Sequence, residues 1–179
     1  MKQSLTFISW NVNGIRAAER KGFIDWMAKG KYSLVLLQET KVSDQILLSD
    51  ELRNLDGYSA YWNCAQEKKG YSGVAVYTQE KPLSVKTDFG KSILSGEGRV
   101  IEMHYPWCIL LNIYFPNGGA SPERLSYKLR FYKEFLEYVT ALTAKGIRVV
   151  FCGDVNTAHH EIDLARPKEN INNSGFMPI

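Results

Sequence analysis

The stretch Val149-Val150-Phe151-Cys152-Gly153-Asp154-Val155-Asn156 decides the fold. A short β-branched and aromatic run reads as a buried strand, and this one ends on an acid and an amide. Gly153 permits close backbone approach there, and strand alternation would send Asp154 and Asn156 to the same side. Three other apolar runs stop in the same manner: Phe7 to Trp10 on Asn11, Leu34 to Gln38 on Glu39, and Leu110 to Ile113 on Tyr114 and, further on, Asn117. Polar ends recurring at the C-terminal limits of strands imply one shared rim where carboxylates, amides and a phenol converge. A rim of that composition suits a hard cation and a phosphate.

Working outward, Ile15 to Lys29 carries Ile15, Phe23, Trp26 and Met27 at helical intervals before Gly30. Ile46, Leu47 and Leu52 predict a short helix. Tyr58 to Trp62, Gly73 to Tyr77 and Pro82 to Thr87 read as shorter strands of an antiparallel meander. Val100 to His104 and Cys108 to Tyr114 flank a hairpin-like break at Tyr105, Pro106 and Trp107. Ser121, Pro122 and Glu123 supply an N-cap, a proline at the first helical position and an early acid. Leu125, Leu129, Tyr132, Leu136, Val139 and Leu142 continue that helix until Gly146. Strands and helices alternate at both ends with antiparallel material between, which predicts an α/β fold with a mixed sheet and outer helices. The stretch from Arg166 to Ile179 is Asn- and Pro-containing and apolar-poor, unlike the end of a finished domain.

The chain has 179 residues, 45% of them apolar, enough for one domain with a sizeable core. Its formal charge of +3 allows an anionic partner and proves none. No apolar run approaches the roughly 18 residues of a membrane span, and the first strand begins too early for a signal peptide, so a cytoplasmic protein without a membrane partner is expected. Cys64, Cys108 and Cys152 are an odd, widely spaced set without a CxxC pair, and read as buried thiols. His159 and His160 are adjacent on one loop, a poor geometry for a shared zinc.

Alone, Glu39 reads as a solvated strand-end acid, and Asp154 with Asn156 as an Asx turn. Taken with Asn11, the better reading is a constellation: a carboxylate able to ligate Mg²⁺ or Mn²⁺, and a carboxylate beside an amide able to orient a water and hold a phosphate oxygen. The segments SWNVNGIRA, LLQETK, GYSGVAVY, EGRVIE, NIYFPNGG and GDVNTAHHEIDLARPKEN resemble, in order, the motifs of the exonuclease III type apurinic/apyrimidinic endonucleases. These belong to the endonuclease/exonuclease/phosphatase superfamily.

That resemblance implies the N-terminal part of a four-layered α/β sandwich, two mixed β-sheets flanked by helices, with the second half incomplete. Residues 1–179 would form a single domain lacking roughly the C-terminal third of the family's length, where relatives carry a further Asp and a Ser-Asp-His ending. It implies that Glu39 binds the metal with Asn11 in its shell, and Asn13 less securely. Asp154 would activate the water, Asn156 hold the scissile phosphate, and Tyr114 support it. Arg16, Lys41, Tyr71, Asn117 and Arg124 would face DNA; Arg99 reads instead as an ion-pairing or backbone-bonding residue. The implied cofactor is Mg²⁺ or Mn²⁺, and the implied partner is double-stranded DNA with abasic sites or 3′ ends. The reaction would be hydrolysis 5′ to the abasic site by a monomer. Two alternatives stay open: a catalytically inactive truncated member with at most weak DNA or partner binding, and a phosphatase of small phosphoesters.

Overall fold

The computed structural model describes residues 4–66, 68–89 and 96–177; residues 1–3, 67, 90–95 and 178–179 lie outside the described residues. In chain order the elements are β1 (Phe7–Asn11), α1 (Ile15–Arg20), α2 (Phe23–Lys29), β2 (Leu34–Gln38), α3 (Asp50–Arg53), β3 (Ser59–Asn63), β4 (Val74–Thr78) and β5 (Ser84–Lys86). They continue with β6 (Val100–His104), β7 (Ile109–Tyr114), α4 (Pro122–Thr143), β8 (Val149–Asp154) and α5 (Pro167–Asn170).

The strands form two four-stranded sheets, ordered β1-β2-β4-β3 and β5-β6-β7-β8. Each is mixed: β1 and β2 are parallel, as are β7 and β8, and the remaining pairs are antiparallel. The expected meander is therefore corrected. β4 returns to β2 and β3 in the first sheet, while β5 opens the second by pairing with β6.

Alternation along β2 explains the layering. Val35 and Leu37 pack with Ile15, Phe23 and Met27 of the first two helices, whereas Leu34 and Leu36 meet Ile101, Met103 and Leu110 of the other sheet. On its far side the second sheet buries Leu111 and Ile113 against Phe131 and Phe135 of α4. The order helices, sheet, sheet, helix is the four-layered α/β sandwich. Each fully buried large apolar side chain contributes about 2 kcal/mol.

Helix details differ from the sequence expectation. Ile15 to Lys29 is two helices, because Gly22 takes a left-handed φ of 92° between them. Ile46 to Leu52 is a short 3-10 turn at Gln45–Leu47 followed by α3, capped by Ser49. For α4 the cap is as expected, with the Ser121 hydroxyl accepting from Arg124 N at 3.3 Å. Its buried face, however, is rotated off the leucine stripe. Phe131 and Phe135 are buried and Leu136 is 65% exposed, because the larger aromatic rings win the sheet contact.

Cys64 and Cys108 are buried, Cys152 half-buried, and all three are free thiols. No described helix is long and apolar enough to cross a membrane. The apolar-poor C-terminal stretch is pinned, since Ala158 N donates to Gly175 O at 2.8 Å. Among the described residues β1 and β8 each pair on one side only, and Trp10 and Phe151 there are 39% and 47% exposed.

Candidate active site

Both parallel pairs, one in each sheet, run toward the same rim. In register, Asn11 lies beside Gln38, the residue before Glu39, and Tyr114 lies beside Asp154. Strand pairing alone thus delivers two polar residues from each sheet to one end.

Glu39 reaches its place by leaving the strand. Continued alternation would put it on the helix side with Val35 and Leu37, but the backbone takes φ 53° there. Its Oε1 accepts from the Tyr114 hydroxyl at 2.7 Å and from Asn11 Nδ2 at 2.9 Å. The same Asn11 amide donates to Asp154 Oδ2 at 2.8 Å, so one side chain bridges two carboxylates from different sheets. Asp154 Oδ1 accepts from Asn156 N at 2.8 Å. Asn156 is not placed by alternation: β8 ends at Asp154, Asn156 adopts φ 50°, and its Nδ2 donates to Phe115 O at 2.9 Å. Asn13 and Lys41 are also left-handed, at φ 47° and 55°. Non-glycine residues in that region are uncommon and cluster where a site over-determines its backbone.

Beneath the rim, Gln38 Nε2 donates to Asn112 Oδ1 at 2.8 Å. Asn112 Nδ2 in turn donates to Leu37 O at 3.0 Å and Ala75 O at 2.8 Å. All of this is buried, and it fastens the strands that end in Glu39 and Tyr114.

The electrostatics follow from these contacts. Burial, the largest single effect, pushes the Glu39 carboxyl up, but hydrogen bonds from Asn11, Tyr114 and Lys41 together with the Lys41 charge outweigh it and leave the carboxyl below its usual range. Burial first, then the bond to and charge of Glu39, push the Tyr114 phenol well above its ordinary value. Lys41 Nζ lies 3.3 Å from Glu39 Oε2 and also donates to Asn13 Oδ1. An ammonium between two oxygens marks a spot that already holds a cation.

The residues expected to face DNA divide. Lys41 sits at the carboxylate cluster. Asn117 lines a cavity of about 430 Å³ together with Asn156, Asn170 and Asn173, and a second of about 650 Å³ together with Tyr71 and Arg124. Arg16 lies on α1 with its guanidinium donating to Leu47 O at 3.2 Å. Arg99 is the ion-pairing residue expected: it bonds Glu97 and Tyr114 O, and its guanidinium lies 4.8 Å from the Tyr114 ring centroid. His159 and His160 are exposed, their backbone amides bound to Asp163.

Several contributors escaped the sequence. Asn170, at the end of the four-residue α5, and Asn173, in the turn after it, line the smaller cavity from a stretch too short to show periodicity. Lys128 is buried on α4, its ammonium donating to Asn156 O and Ser174 O, both at 2.7 Å. Burial draws its pKa down while Asp154 draws it up, the former prevailing. A lysine between Leu125 and Phe131 on an apolar face was the available signal.

Comparison with known proteins matches residues 8–177 to the endonuclease/exonuclease/phosphatase family. The chain belongs to that family. It is 41% identical over 174 residues to an exodeoxyribonuclease of Bacillus subtilis, covering 96% of this chain and 66% of the relative. It is 38% identical over 175 residues to the DNA repair nuclease APEX1 of Danio rerio, covering 98% and 56% respectively. An AP endonuclease structure from Archaeoglobus fulgidus superposes with a TM-score of 0.83 at 27% identity, over 97% of this chain and 66% of that one. The family resemblance read from the motifs and the four-layered fold both stand. The chain spans less than two thirds of the length of these family members.

Proposed function

We propose that this chain carries the hydrolytic rim of a DNA repair phosphodiesterase, cutting 5′ to an abasic site or at 3′ ends with Mg²⁺ or Mn²⁺. The observation that carries the reading is the Asn11 amide joining Glu39 and Asp154 across the two sheets, with Tyr114 on the same Glu39 oxygen. The donors at the rim are carboxylate and amide oxygens, the set a hard cation takes while keeping several waters.

Glu39 would hold the cation with Asn11 in its shell and Asn13 beside it, where Lys41 now bridges the Glu39 and Asn13 oxygens. These residues would place the cation where it would supply neutralising charge to phosphoryl oxygens. Asp154, its two oxygens each fixed by one donor, keeps lone pairs free to take a proton from an attacking water. Asn156 spends one amide hydrogen on Phe115 O and lies beside the Tyr114 hydroxyl, a contact that a phosphate oxygen would replace. Tyr114 keeps its proton at neutral pH and acts as a donor. Fixed neutral donors of this kind lower the barrier because they need no reorganisation during the reaction.

The test is incision of a duplex with one abasic site by residues 1–179, with Mg²⁺, with EDTA, and with Glu39→Ala and Asp154→Ala. Cutting that needs the metal and falls at least about 100-fold in each variant is expected. Folded protein that binds the duplex without cutting assigns the chain the second role, DNA binding without hydrolysis.

A further inference from the structure

Beside the rim, Glu97 holds two arginines. Its Oε2 accepts from Arg99 Nε at 2.6 Å, and its two oxygens accept from Arg124 Nη1 at 2.6 Å and Nη2 at 3.1 Å. Both guanidiniums then donate to one phenol: Tyr71 Oη accepts from Arg99 Nη2 at 2.8 Å and from Arg124 Nη2 at 3.1 Å. A phenolic oxygen offers two lone pairs and one hydrogen. With both lone pairs occupied, Tyr71 can only donate, and among the described residues no acceptor takes that hydrogen.

Tyr71 lines the cavity of about 650 Å³ with Lys68, Asn117 and Arg124, and Lys68 Nζ lies 4.9 Å from its ring centroid. Three of the five Arg124 N–H groups serve Glu97 and Tyr71. Arg99 is buried and serves Glu97, Tyr71 and Tyr114 O. What both arginines orient together, by occupying its lone pairs, is the Tyr71 hydroxyl.

We infer that Glu97 is a positioning residue, holding Arg99 and Arg124 so that Tyr71 presents its O–H to an acceptor oxygen of a DNA backbone phosphate. This rests on the nuclease reading above and adds how one subsite is oriented. It makes an electrostatic prediction of unusual sign. If Glu97 were only a negative charge near DNA, its removal would tighten binding; as a positioning residue, its removal loosens binding.

The experiment is a fluorescence anisotropy titration of residues 1–179 with a short abasic-analogue duplex in EDTA. Each variant's fold is checked by near-ultraviolet circular dichroism. Glu97→Gln is expected to weaken binding about fivefold although net charge rises, Glu97→Asp to recover most of it, and Tyr71→Phe to match the loss. The Glu97→Gln, Tyr71→Phe double variant should lose no more than either single one. Neutral methylphosphonates scanned along the strand should reveal one linkage that matters to the unmodified protein and not to Tyr71→Phe. Where Glu97→Gln does not fold, Arg124→Gln removes one donor and must show the same coupling to Tyr71→Phe. Tighter or unchanged binding by Glu97→Gln, or additive losses, overturns this inference alone. Failure of the unsubstituted protein to bind any duplex overturns the nuclease reading and this inference with it.

Discussion

The Tyr114 hydroxyl donates to Glu39 Oε1 at 2.7 Å, joining the ends of strands that belong to different sheets. Such a bond needs the two sheets held in one sliding position, and the buried Gln38 to Asn112 pair, one or two residues earlier on each strand, does this. Asn112→Ala takes the Asn112 donor from the buried Leu37 and Ala75 carbonyls and leaves the Gln38 amide only Leu36 O and Ser9 Oγ as acceptors. A loss of about 2–3 kcal/mol is expected in denaturant unfolding, because orphaned buried polar groups cost more than the bond itself contributes.

Lys41 occupies the oxygens that a metal would take. Replacing it with methionine keeps the stem and removes the competing charge. Mn²⁺ should then bind up to about fivefold more tightly, the range a half-exposed ion pair permits. Electron paramagnetic resonance of free Mn²⁺ during titration measures this without reference to turnover, and an unchanged or weaker affinity would mean that Lys41 does not compete.

The Glu97 carboxyl feels burial most strongly, which pushes it up, but the bonds and charges of Arg124 and Arg99 together bring it below its usual range. A group depressed on folding adds stability that is complete above its unfolded value, 4.5, and is lost as pH falls below it. The pH dependence of unfolding free energy should therefore be flatter below about pH 4.5 in Glu97→Gln than in the parent. Parallel acid limbs for the two proteins would contradict the assignment.

Gly153 of β8 lies in register with Ile113 of the parallel neighbour β7. A Cβ there would stand 1.8 Å from Ile113 O, a backbone atom that cannot swing aside. Gly153→Ala should cost more than about 3 kcal/mol and show as a lower thermal midpoint. A tolerated alanine would mean that the parallel pair relaxes apart.

Much of this was legible from local chemistry. The strand ends at Asn11, Glu39, Tyr114 and Asp154 announced the rim, because a polar residue closing an apolar run has few other places to go. The Ser121 cap and Pro122 gave the start of α4. What escaped depended on long-range choices. Nothing local says that β4 and β5 part into different sheets, or that Phe131 and Phe135 outcompete the leucines of α4. Nor does it say that Glu39 and Asn156 turn to positive φ and abandon alternation. The Gln38 and Asn112 amides looked like ordinary strand residues because their meaning lies in a partner 74 positions away.

Asn11 and Asp154 stand on the outermost strands of their sheets, while the Gln38 to Asn112 clasp lies one strand further in. The two sheets therefore resemble the covers of a book bound at the spine, with Asn11 and Asp154 printed near the open margin. Any breathing of the covers parts Asn11 from Asp154 before it disturbs the binding. The geometry of the candidate site is thus expected to loosen before the clasp beneath it does.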